Sequence, residues 1–490
     1  MKSVAVIGSG VGGLAIALRL AVRGFQVEIF ERAETPGGKL NEFSVDGFRF
    51  DTGPSLFTLP ELVEELIVLC GRKPEDYLQM KQLEMTCRYY FPDGSVLPAW
   101  AEKDRFLETL KEQNYSSEEV EQFLKHQEFI FNNTQDFFLF TAIHKLSVSL
   151  PKAFRQNWMA LLKLDPFTSM HARNRKSFHH PNLTQLFDRY ATYNGSNPYQ
   201  APATLNMIAH LEHNKGAFFP VGGMYEIVRT LVKLAEEMNI GIHTQTAVKK
   251  LVTEKNQVSG IETEQGFQAF DYVVNDTDIS YFYSNLLPDS KKLERIKKRG
   301  KSSSALIFYW GMNIQSTLDV HTILFSKDYQ DEFDGLFGRK VFANDLTVYI
   351  FISSKANPSD APEGKENWFV MVNAPEEAGQ DWQAEIGRAR SIILKKIQET
   401  LHVDISAVIE SEKILTPQGI AEKTASVGGS LYGNHSNSPF SAFLRHPNFS
   451  RKYKNLFFVG GSVHPGGGIP LCLASAKIVD ELISQEVSSK

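Results

Sequence analysis

Two glycine-rich turns, one near each end of the 490-residue chain, constrain its fold more than any other feature. The first occupies residues 8–13 (GSGVGG) and follows the apolar run Val4–Ile7. The second follows Leu456–Val459, begins at Gly460 and ends at Pro470. Both stand where a buried strand passes into a helix, so a site that uses both turns needs the last segment of the chain beside the first strand. The pairing predicts a cofactor-binding domain that the C-terminal segment closes.

The turn at residues 8–13 has the physical features of a nucleotide-binding motif. Ser3–Ile7 is predicted to be a buried parallel strand, because branched apolar residues dominate it. Gly8 permits a tight turn, Gly10 lets the backbone approach a pyrophosphate, and Gly13 lets the following helix pack close to the strand. That helix, predicted from Leu14 onward, directs its N-terminal amides at the phosphates.

An acidic residue follows at the place where this motif needs one. A second strand, Gln26–Phe30, delivers Glu31 to its end, 18 residues after Gly13. About 20 residues is the spacing expected for the carboxylate that binds a ribose. A carboxylate at this position favours an unphosphorylated ribose, as in FAD or NAD.

Two further glycine turns favour FAD over NAD. Residues 35–40 (TPGGKL) come soon after Glu31, where glycines bring backbone amides near phosphate and Lys39 adds a cation. Residues 51–55 (DTGPS) follow the short predicted strand Phe48–Phe50 and offer another bare backbone surface. Each turn alone is unspecific. The order of the four turns along the chain is typical of FAD enzymes.

Charge and cysteine content exclude several classes of function. The chain has 52 basic and 57 acidic residues and a net charge of −5, so nothing favours binding to nucleic acid. Its three cysteines, Cys70, Cys87 and Cys472, show no spacing for a disulfide or a metal site, which favours a reducing, cytoplasmic setting and no metal. No run of about 20 apolar residues predicts a membrane span.

Phenylalanine is abundant, with 35 copies against 5 tryptophans and 16 tyrosines. One interpretation is an ordinary aromatic core. The other is that part of the phenylalanine lines a long apolar tunnel for a substrate that offers dispersion contacts and almost no hydrogen bonds. The sequence leaves both open.

Several segments together resemble a known family. They are the turn at 8–13 with Glu31, the glycines at 37–38, DTGPS at 51–55, GAFFPVGGM at 216–224, DYVVND at 271–276 and FVGGSVHPGGGIP at 458–470. The chain resembles the bacterial phytoene-desaturase type of carotenoid desaturase, within the flavin amine oxidase superfamily, almost from end to end. Residues 187–193 (FDRYATY) and 429–433 (GSLYG) are similar to those of the 1-hydroxycarotenoid 3,4-desaturases. The resemblance implies an FAD-dependent oxidoreductase of carotenoid biosynthesis that introduces a C–C double bond into a hydrophobic polyene.

The motifs and the resemblance together predict the residues that bind FAD. These are Gly8, Gly10, Val11, Gly12, Gly13, Glu31, Arg32, Gly38, Lys39, Leu40, Gly53, Pro54, Ser55, Val248, Asn275, Asp276, Gly460, Gly461, Gly468, Ile469 and Pro470.

Catalytic residues are less well defined, and each candidate has two interpretations. His464 is either a proton acceptor or a turn residue that bonds to the backbone, and the turn is favoured. A second group either contacts a substrate hydroxyl at one end of the tunnel or forms a buried ion pair at the domain junction; it comprises Asp188, Arg189, Tyr190 and Tyr193.

The order of predicted elements gives an α/β fold with two interleaved domains. A Rossmann-like FAD-binding domain is predicted from residues 1–75, 215–285 and 446–490. Residues 76–214 and 286–445 are predicted to form a substrate domain of mixed sheet and helices. Its expected strands include Ala305–Trp310, Thr347–Ser353 and Trp368–Val372.

The first inserted stretch contains a candidate membrane-docking region near residues 120–180. Basic side chains alternate there with apolar ones, a pattern found at anionic membrane interfaces. The alternative is a solvated helix packed on the sheet. The basic residues are Lys145, Lys152, Arg155, Lys163, Arg173, Arg175 and Lys176, and the apolar ones include Leu150, Trp158, Met159, Leu161 and Leu162. The expected partners are a carotenoid, a membrane surface, and oxygen or a quinone as electron acceptor.

Other functions share this fold. Within the family, the chain could desaturate phytoene or neurosporene, or act as a carotenoid isomerase or saturase with reduced flavin. A flavin amine oxidase would need a small aromatic cage for an amine. A nonenzymatic prenyl-protein carrier of the Rab escort type would dispense with redox chemistry, and the intact second glycine turn argues against it.

Overall fold

The computed structural model describes residues 1–149, 163–438, 441 and 445–488. In this part of the chain the α-helices are Val11–Val22, Glu61–Leu69, Lys103–Glu112, Ser117–Phe140, Met170–Ser177, Pro181–Asp188, Met207–His210, Glu226–Glu237, Ile279–Tyr281, Ser290–Lys297, Tyr329–Asp334, Trp382–Leu401, Pro417–Thr424 and Ile469–Ser488. The strands are β1 Ser3–Ile7, β2 Gln26–Phe30, β3 Glu42–Val45, β4 Phe48–Asp51, β5 Met80–Gln82, β6 Met85–Tyr90, β7 Val96–Trp100, β8 Phe218–Pro220, β9 Gly241–His243, β10 Lys250–Glu254, β11 Gln257–Thr263, β12 Gly266–Ala269, β13 Tyr272–Asn275, β14 Ser304–Met312, β15 His321–Leu324, β16 Val348–Phe351, β17 Glu366–Ala374, β18 Ile409–Leu415 and β19 Leu456–Phe458.

A five-stranded parallel sheet carries the first strand at its centre. Its strand order is β19-β13-β1-β2-β9, and each neighbouring pair is parallel. The side chains of Val4 and Val6 belong to one hydrophobic cluster, and those of Ala5 and Ile7 to another. A strand covered on both faces explains why β1 is apolar without alternation. All five strands come from the three segments predicted for the FAD-binding domain.

Helices cover this sheet and begin at the glycine turns. The helices Val11–Val22, Glu226–Glu237 and Ile469–Ser488 pack together on one face. The first of them starts at Val11 and not at Leu14 as predicted, because Gly12 and Gly13 form its first turn despite their low helix propensity. The antiparallel strands β10, β11 and β12 form a separate small sheet.

A seven-stranded mixed sheet forms the second layer. Its order is β18-β14-β17-β16-β15-β6-β7, with β15 and β6 parallel and the other neighbours antiparallel. The three strands predicted here are confirmed as β14, β16 and β17 with shifted ends. One face packs against the helices between residues 103 and 215, and the other against Trp382–Leu401.

The region predicted to dock on a membrane is only partly described. Lys145, Lys163, Arg173, Arg175 and Lys176 are among the described residues. No described helix is long and apolar enough to cross a membrane. The predicted residues Leu150, Lys152, Arg155, Trp158, Met159, Leu161 and Leu162 lie outside the described part of the chain.

Candidate functional site

A cavity of about 1050 Å³ contacts both large sheets. At one end it is bordered by the glycine turn at residues 8–13 and by the turn before the last helix. Further along, its lining includes Ile307 and Phe369 of the seven-stranded sheet. A cavity between a nucleotide-binding turn and an apolar sheet can bring a cofactor and a hydrophobic substrate together.

The first turn packs as tightly as the sequence predicts. A Cβ atom on Gly13 would lie 2.1 Å from the carbonyl oxygen of Gly8, so only glycine allows the helix this close to the strand. The amide of Gly8 donates to the carbonyl of Phe30 at 2.9 Å, which ties the turn to β2. Gly10, Gly8 and Val11 line the cavity at the start of the helix. Helix N-terminal amides stabilise an anion placed there.

The second turn lies directly against the first. A Cβ on Gly12 would come within 3.0 Å of the amide nitrogen of Gly460. Gly460 has a φ of +92°, and its own Cβ would lie 2.1 Å from Oδ1 of Asp276. The first strand, the end of β13 and the C-terminal turn therefore meet at one place, as the paired turns in the sequence indicated.

Glu31 is fixed in position by the backbone around it. Its Oε2 accepts from the amide and the hydroxyl of Ser9, at 2.9 and 2.8 Å, and its Oε1 accepts from the amide of Ala33 at 2.8 Å. A carboxylate has about four lone-pair sites. Glu31 lines the cavity and keeps capacity to accept from ribose hydroxyls.

Asp276 contributes an unusual carboxyl group to the turn. Its Oδ2 accepts from the amide of Gly13 at 2.9 Å. Burial raises the pKa of Asp276 to about 7, since few groups compensate its charge. At this pKa the carboxyl group is about half protonated at pH 7, and its protonated form would avoid repulsion with a pyrophosphate. The neighbouring Asn275 is turned away from the cavity and bonds with Thr277.

Lys39 connects two segments that the sequence singled out separately. Its Nζ donates to the carbonyls of Ser430 and Leu431, at 3.0 and 2.6 Å. Burial lowers the pKa of Lys39 to about 8. The sequence suggested a cation that assists phosphate binding, whereas the structure shows this amine holding the 429–433 segment against the cavity.

His464 has little basicity in this fold. Its Nε2 lies 3.1 Å from the carbonyl oxygen of Thr141 and donates to it. Burial lowers the pKa of His464 to about 3, so the ring is neutral near pH 7. This geometry matches the favoured interpretation, a turn residue that bonds to the backbone.

The four polar candidates at residues 188–193 separate in the structure. Arg189 and Tyr193 line the cavity. Asp188 is absent from its lining and bonds to His171 at 2.7 Å and Asn174 at 2.9 Å within the helical layer. Tyr190 is fully buried behind the cavity wall. Arg189 and Tyr193 are thus the two members that a substrate in this cavity can contact, and the contact itself stays a prediction.

Glu212 organises the polar end of the cavity, and no sequence motif pointed to it. It accepts from Arg189 at 2.9 Å, from Tyr190 at 3.0 Å and from Tyr193 at 2.5 Å. Burial by itself would raise the pKa of Glu212, but the charge of Arg189 together with the hydrogen bonds from Tyr193 and Tyr190 outweighs burial and holds the pKa below its usual value. Both oxygens of this carboxylate have partners, so Arg189 and Glu212 form a buried ion pair at the cavity wall, in which Nε of Arg189 has no partner in the described part of the chain.

A second polar group links Ser55 of the 51–55 turn to Tyr349 and His321, which the sequence did not single out. The hydroxyls of Ser55 and Tyr349 are 2.6 Å apart, and the Tyr349 hydroxyl is 2.7 Å from Nδ1 of His321. All three residues line the cavity. Burial lowers the pKa of His321 to about 3, so the ring is neutral.

Most predicted FAD-binding residues border the same cavity. Gly13, Asn275 and Gly460 are the exceptions, and each contacts or adjoins residues that do line it. The lining includes Gly8, Gly10, Val11, Gly12, Glu31, Arg32, Gly38, Lys39, Leu40, Gly53, Pro54, Ser55, Val248, Asp276, Gly461, Gly468, Ile469 and Pro470. The glycine turns at both ends of the chain and the fixed acceptor Glu31 fit the phosphates and ribose of FAD.

Comparison with known proteins agrees with this site. Residues 11–479 match the family described as flavin containing amine oxidoreductase. The chain is 43% identical over 488 residues to 1-hydroxycarotenoid 3,4-desaturase from Flavobacterium sp. (strain P99-3), covering 99% of each chain. It is 30% identical over 528 residues to phytoene desaturase from Fusarium fujikuroi, covering 100% of this chain and 90% of that one.

A solved structure supports the fold. An oxidoreductase from Methanosarcina mazei superposes with a TM-score of 0.66 at 14% sequence identity, covering 98% of this chain and 100% of the other. At this identity the likeness concerns the fold alone.

Proposed function

Because this chain belongs to the flavin-containing amine oxidoreductase family, we propose that it is an FAD-dependent desaturase of carotenoids, acting between carbons 3 and 4 of a 1-hydroxylated substrate. The 43% identity to a 1-hydroxycarotenoid 3,4-desaturase, extending over 99% of both chains, supports this substrate. The observation that carries the proposal is the cavity, which continues from the glycine turns into an apolar region.

The apolar part of the cavity suits a polyene. Its lining includes Phe131, Phe138, Leu139, Leu205, Ile208 and Leu211. A polyene offers almost no hydrogen bonds, so such walls hold it by dispersion and by displacing water. Part of the abundant phenylalanine therefore lines the cavity, and most of the rest belongs to the core.

Positioning accounts for most of the catalysis that we assign to the protein. FAD, when bound, supplies the oxidant and takes a hydride from the carbon chain of the substrate. The second hydrogen leaves the neighbouring carbon as a proton, and a long polyene delocalises the positive charge, so a weak base suffices to accept this proton, such as Nδ1 of His464, which has no hydrogen-bond partner in the described part of the chain. The neutral, weakly basic His464 agrees with this. The cavity walls hold the carbon pair in line and exclude water.

We propose that the residues predicted from the motifs hold FAD. The turn at 8–13 and the helix that follows would bind the pyrophosphate, and Glu31 would accept from the ribose. Residues 53–55 and 461–470 would border the flavin ring. The contacts of Gly12, Gly460 and Asp276 support a single site built from both ends of the chain.

We further propose that the protein works in the cytoplasm, docked on a membrane surface from which it takes its substrate. Leu146 and Phe167 are 68% and 77% exposed, and they flank the segment at residues 150–162. Lys163, Arg175 and Lys176 add exposed positive charge near them. Phe138 and Leu139, at the end of a long helix just before this region, line the cavity, which suggests an entry route. The free thiols of Cys70, Cys87 and Cys472 suit a reducing compartment.

Product analysis tests the proposed reaction. FAD-loaded protein in liposomes is given a 1-hydroxylated carotene and, separately, phytoene, and products are followed by chromatography, mass and absorption. We expect the hydroxylated substrate alone to lose two mass units and to absorb at longer wavelength. Stepwise conversion of phytoene would instead favour the activity named for the Fusarium relative. No change in either substrate would reject the desaturase proposal.

A further inference from the structure

The hydroxyls of Ser55 and Tyr349 form a hydrogen-bonded pair in the cavity wall. They are 2.6 Å apart, both residues are only partly buried, and both line the cavity. Apolar side chains of the seven-stranded sheet border the same region, among them Ile307 and Phe369. A polar pair on an otherwise apolar wall fixes the orientation of a ligand that has one polar group.

We propose that Ser55 and Tyr349 form a subsite for the hydroxyl group of the substrate, with His321 as the residue that positions Tyr349. This inference rests on the proposed function and assigns its substrate specificity to named residues. The hydroxyl group would hydrogen-bond to the Ser55–Tyr349 pair and hold the adjacent carbons at the reacting position.

The hydrogen-bond chain suits an alcohol whichever way it runs. Nε2 of His321 has no hydrogen-bond partner in the described part of the chain, so no neighbour fixes the tautomer of the ring. If Nδ1 accepts from Tyr349, then Ser55 donates to Tyr349 and keeps free lone pairs. If Nδ1 donates instead, Tyr349 donates to Ser55, whose own proton is free. An alcohol both donates and accepts, so it satisfies either state.

The position of Ser55 also fits the proposed reaction. The hydroxyl sits on carbon 1, and carbon 3 is two bonds of about 1.5 Å away. A subsite for this hydroxyl must therefore lie within a few ångströms of the reacting carbons. Ser55 belongs to the 51–55 turn, which is predicted to contact the cofactor, and the Ser55–Tyr349 pair extends from that turn into the cavity.

The other polar cluster is a poorer candidate for this role. Both oxygens of Glu212 already accept from Arg189, Tyr190 and Tyr193. Most hydrogen-bonding groups there are already paired within a buried ion pair, although Nε of Arg189 has no partner in the described part of the chain. Tyr193 lines the cavity, so replacing its hydroxyl distinguishes the two locations.

Binding measurements test the subsite independently of turnover. Quenching of tryptophan fluorescence in the FAD-loaded protein gives the Kd for a 1-hydroxylated carotene and for the same carotene without the hydroxyl. We expect the native protein to prefer the hydroxylated compound by about 10- to 100-fold, the effect of one well-made buried hydrogen bond. Ser55→Ala and Tyr349→Phe should each reduce the preference to about 3-fold or less. Because Ser55 is also a predicted FAD-binding residue, an unchanged Kd of the hydrocarbon is expected of Tyr349→Phe.

Tyr283→Phe is the matched control. Tyr283 is a buried tyrosine whose hydroxyl bonds to His446 at 3.1 Å, much as Tyr349 bonds to His321, but it does not line the cavity. It should keep the full preference. The inference is overturned if the native protein has no preference, if Ser55→Ala and Tyr349→Phe keep it, or if Tyr193→Phe or Tyr283→Phe removes it. A protein that prefers the hydroxylated compound but makes no product would reject the proposed function and support the subsite.

Discussion

Replacing Gly13 by alanine tests whether the first turn holds the cofactor. A Cβ at this position would lie 2.1 Å from the carbonyl oxygen of Gly8, whereas ordinary van der Waals contact begins at 3.4 Å. The helix Val11–Val22 would have to withdraw from the strand by about the difference, on the order of 1 Å. Overpacking of this kind costs about 1–3 kcal/mol, and we expect the upper end because the clash is with backbone.

That displacement moves the helix N-terminus that we propose binds the pyrophosphate. If FAD binding requires the helix in its native position, binding must supply this cost of about 3 kcal/mol, and the FAD affinity should be roughly 150-fold weaker. Titration of the apoprotein with FAD, followed by flavin fluorescence, measures the change. Gly338→Ala is the control, because a Cβ there has no atom within 4 Å and FAD affinity should not change. A Gly13→Ala protein that folds and binds FAD with native affinity would refute both the tight packing and its role.

Three further outcomes follow from the structure. Glu212→Gln should lower the free energy of unfolding in urea by about 3–5 kcal/mol, because it leaves Arg189 buried without its counter-charge. The double variant Arg189→Met with Glu212→Leu should recover much of this loss. If the destabilisation of the double variant equals the sum of those of the single variants, the pairing is contradicted. Since the pKa of Asp276 is raised to about 7, its ionisation opposes folding: the cost is absent below about pH 4, grows as pH rises to about 7 and then stays constant. Between about pH 4 and pH 7 the native protein should therefore lose stability relative to the Asp276→Asn variant. A difference between their urea midpoints that stays constant over this range would contradict the raised pKa. The double variant Leu146→Glu with Phe167→Glu should reduce co-sedimentation with anionic liposomes several-fold. The control Phe267→Glu, at a position that is 53% exposed, should not reduce it. Equal losses of co-sedimentation in both variants would argue against a specific docking region.

The parts of the site that depend on local chemistry could be predicted from the sequence. The glycine spacing of the first turn and the acid at Glu31 each reflect a short-range requirement, and the structure places them as expected. The recurrence of a glycine turn after β19 indicated that the chain ends meet. The domain limits stay predictions, although the strands of each large sheet fall within the expected segments.

The polar groups of the cavity depend on contacts that no local pattern encodes. Ser55 and Tyr349 are separated by 294 residues in the chain, and they meet only because β16 packs over the 51–55 turn. Glu212 lies in the short helical stretch Leu211–Lys215, where nothing in the sequence distinguishes it from a surface acid. Asp188 and Arg189 are adjacent in sequence, but helical geometry directs one into the helical layer and the other to the cavity.

The meeting of the two chain ends also bears on how the protein is made. During synthesis the turn at residues 8–13 emerges first, while β19 and the turn after it emerge last. Until then β13 is an unpaired edge of an otherwise complete sheet, and such an edge invites pairing with other chains. Completion of the sheet and completion of the nucleotide site therefore depend on the same segment, so the ability to retain FAD would report that β19 and the turn after it have been made and have folded onto the sheet.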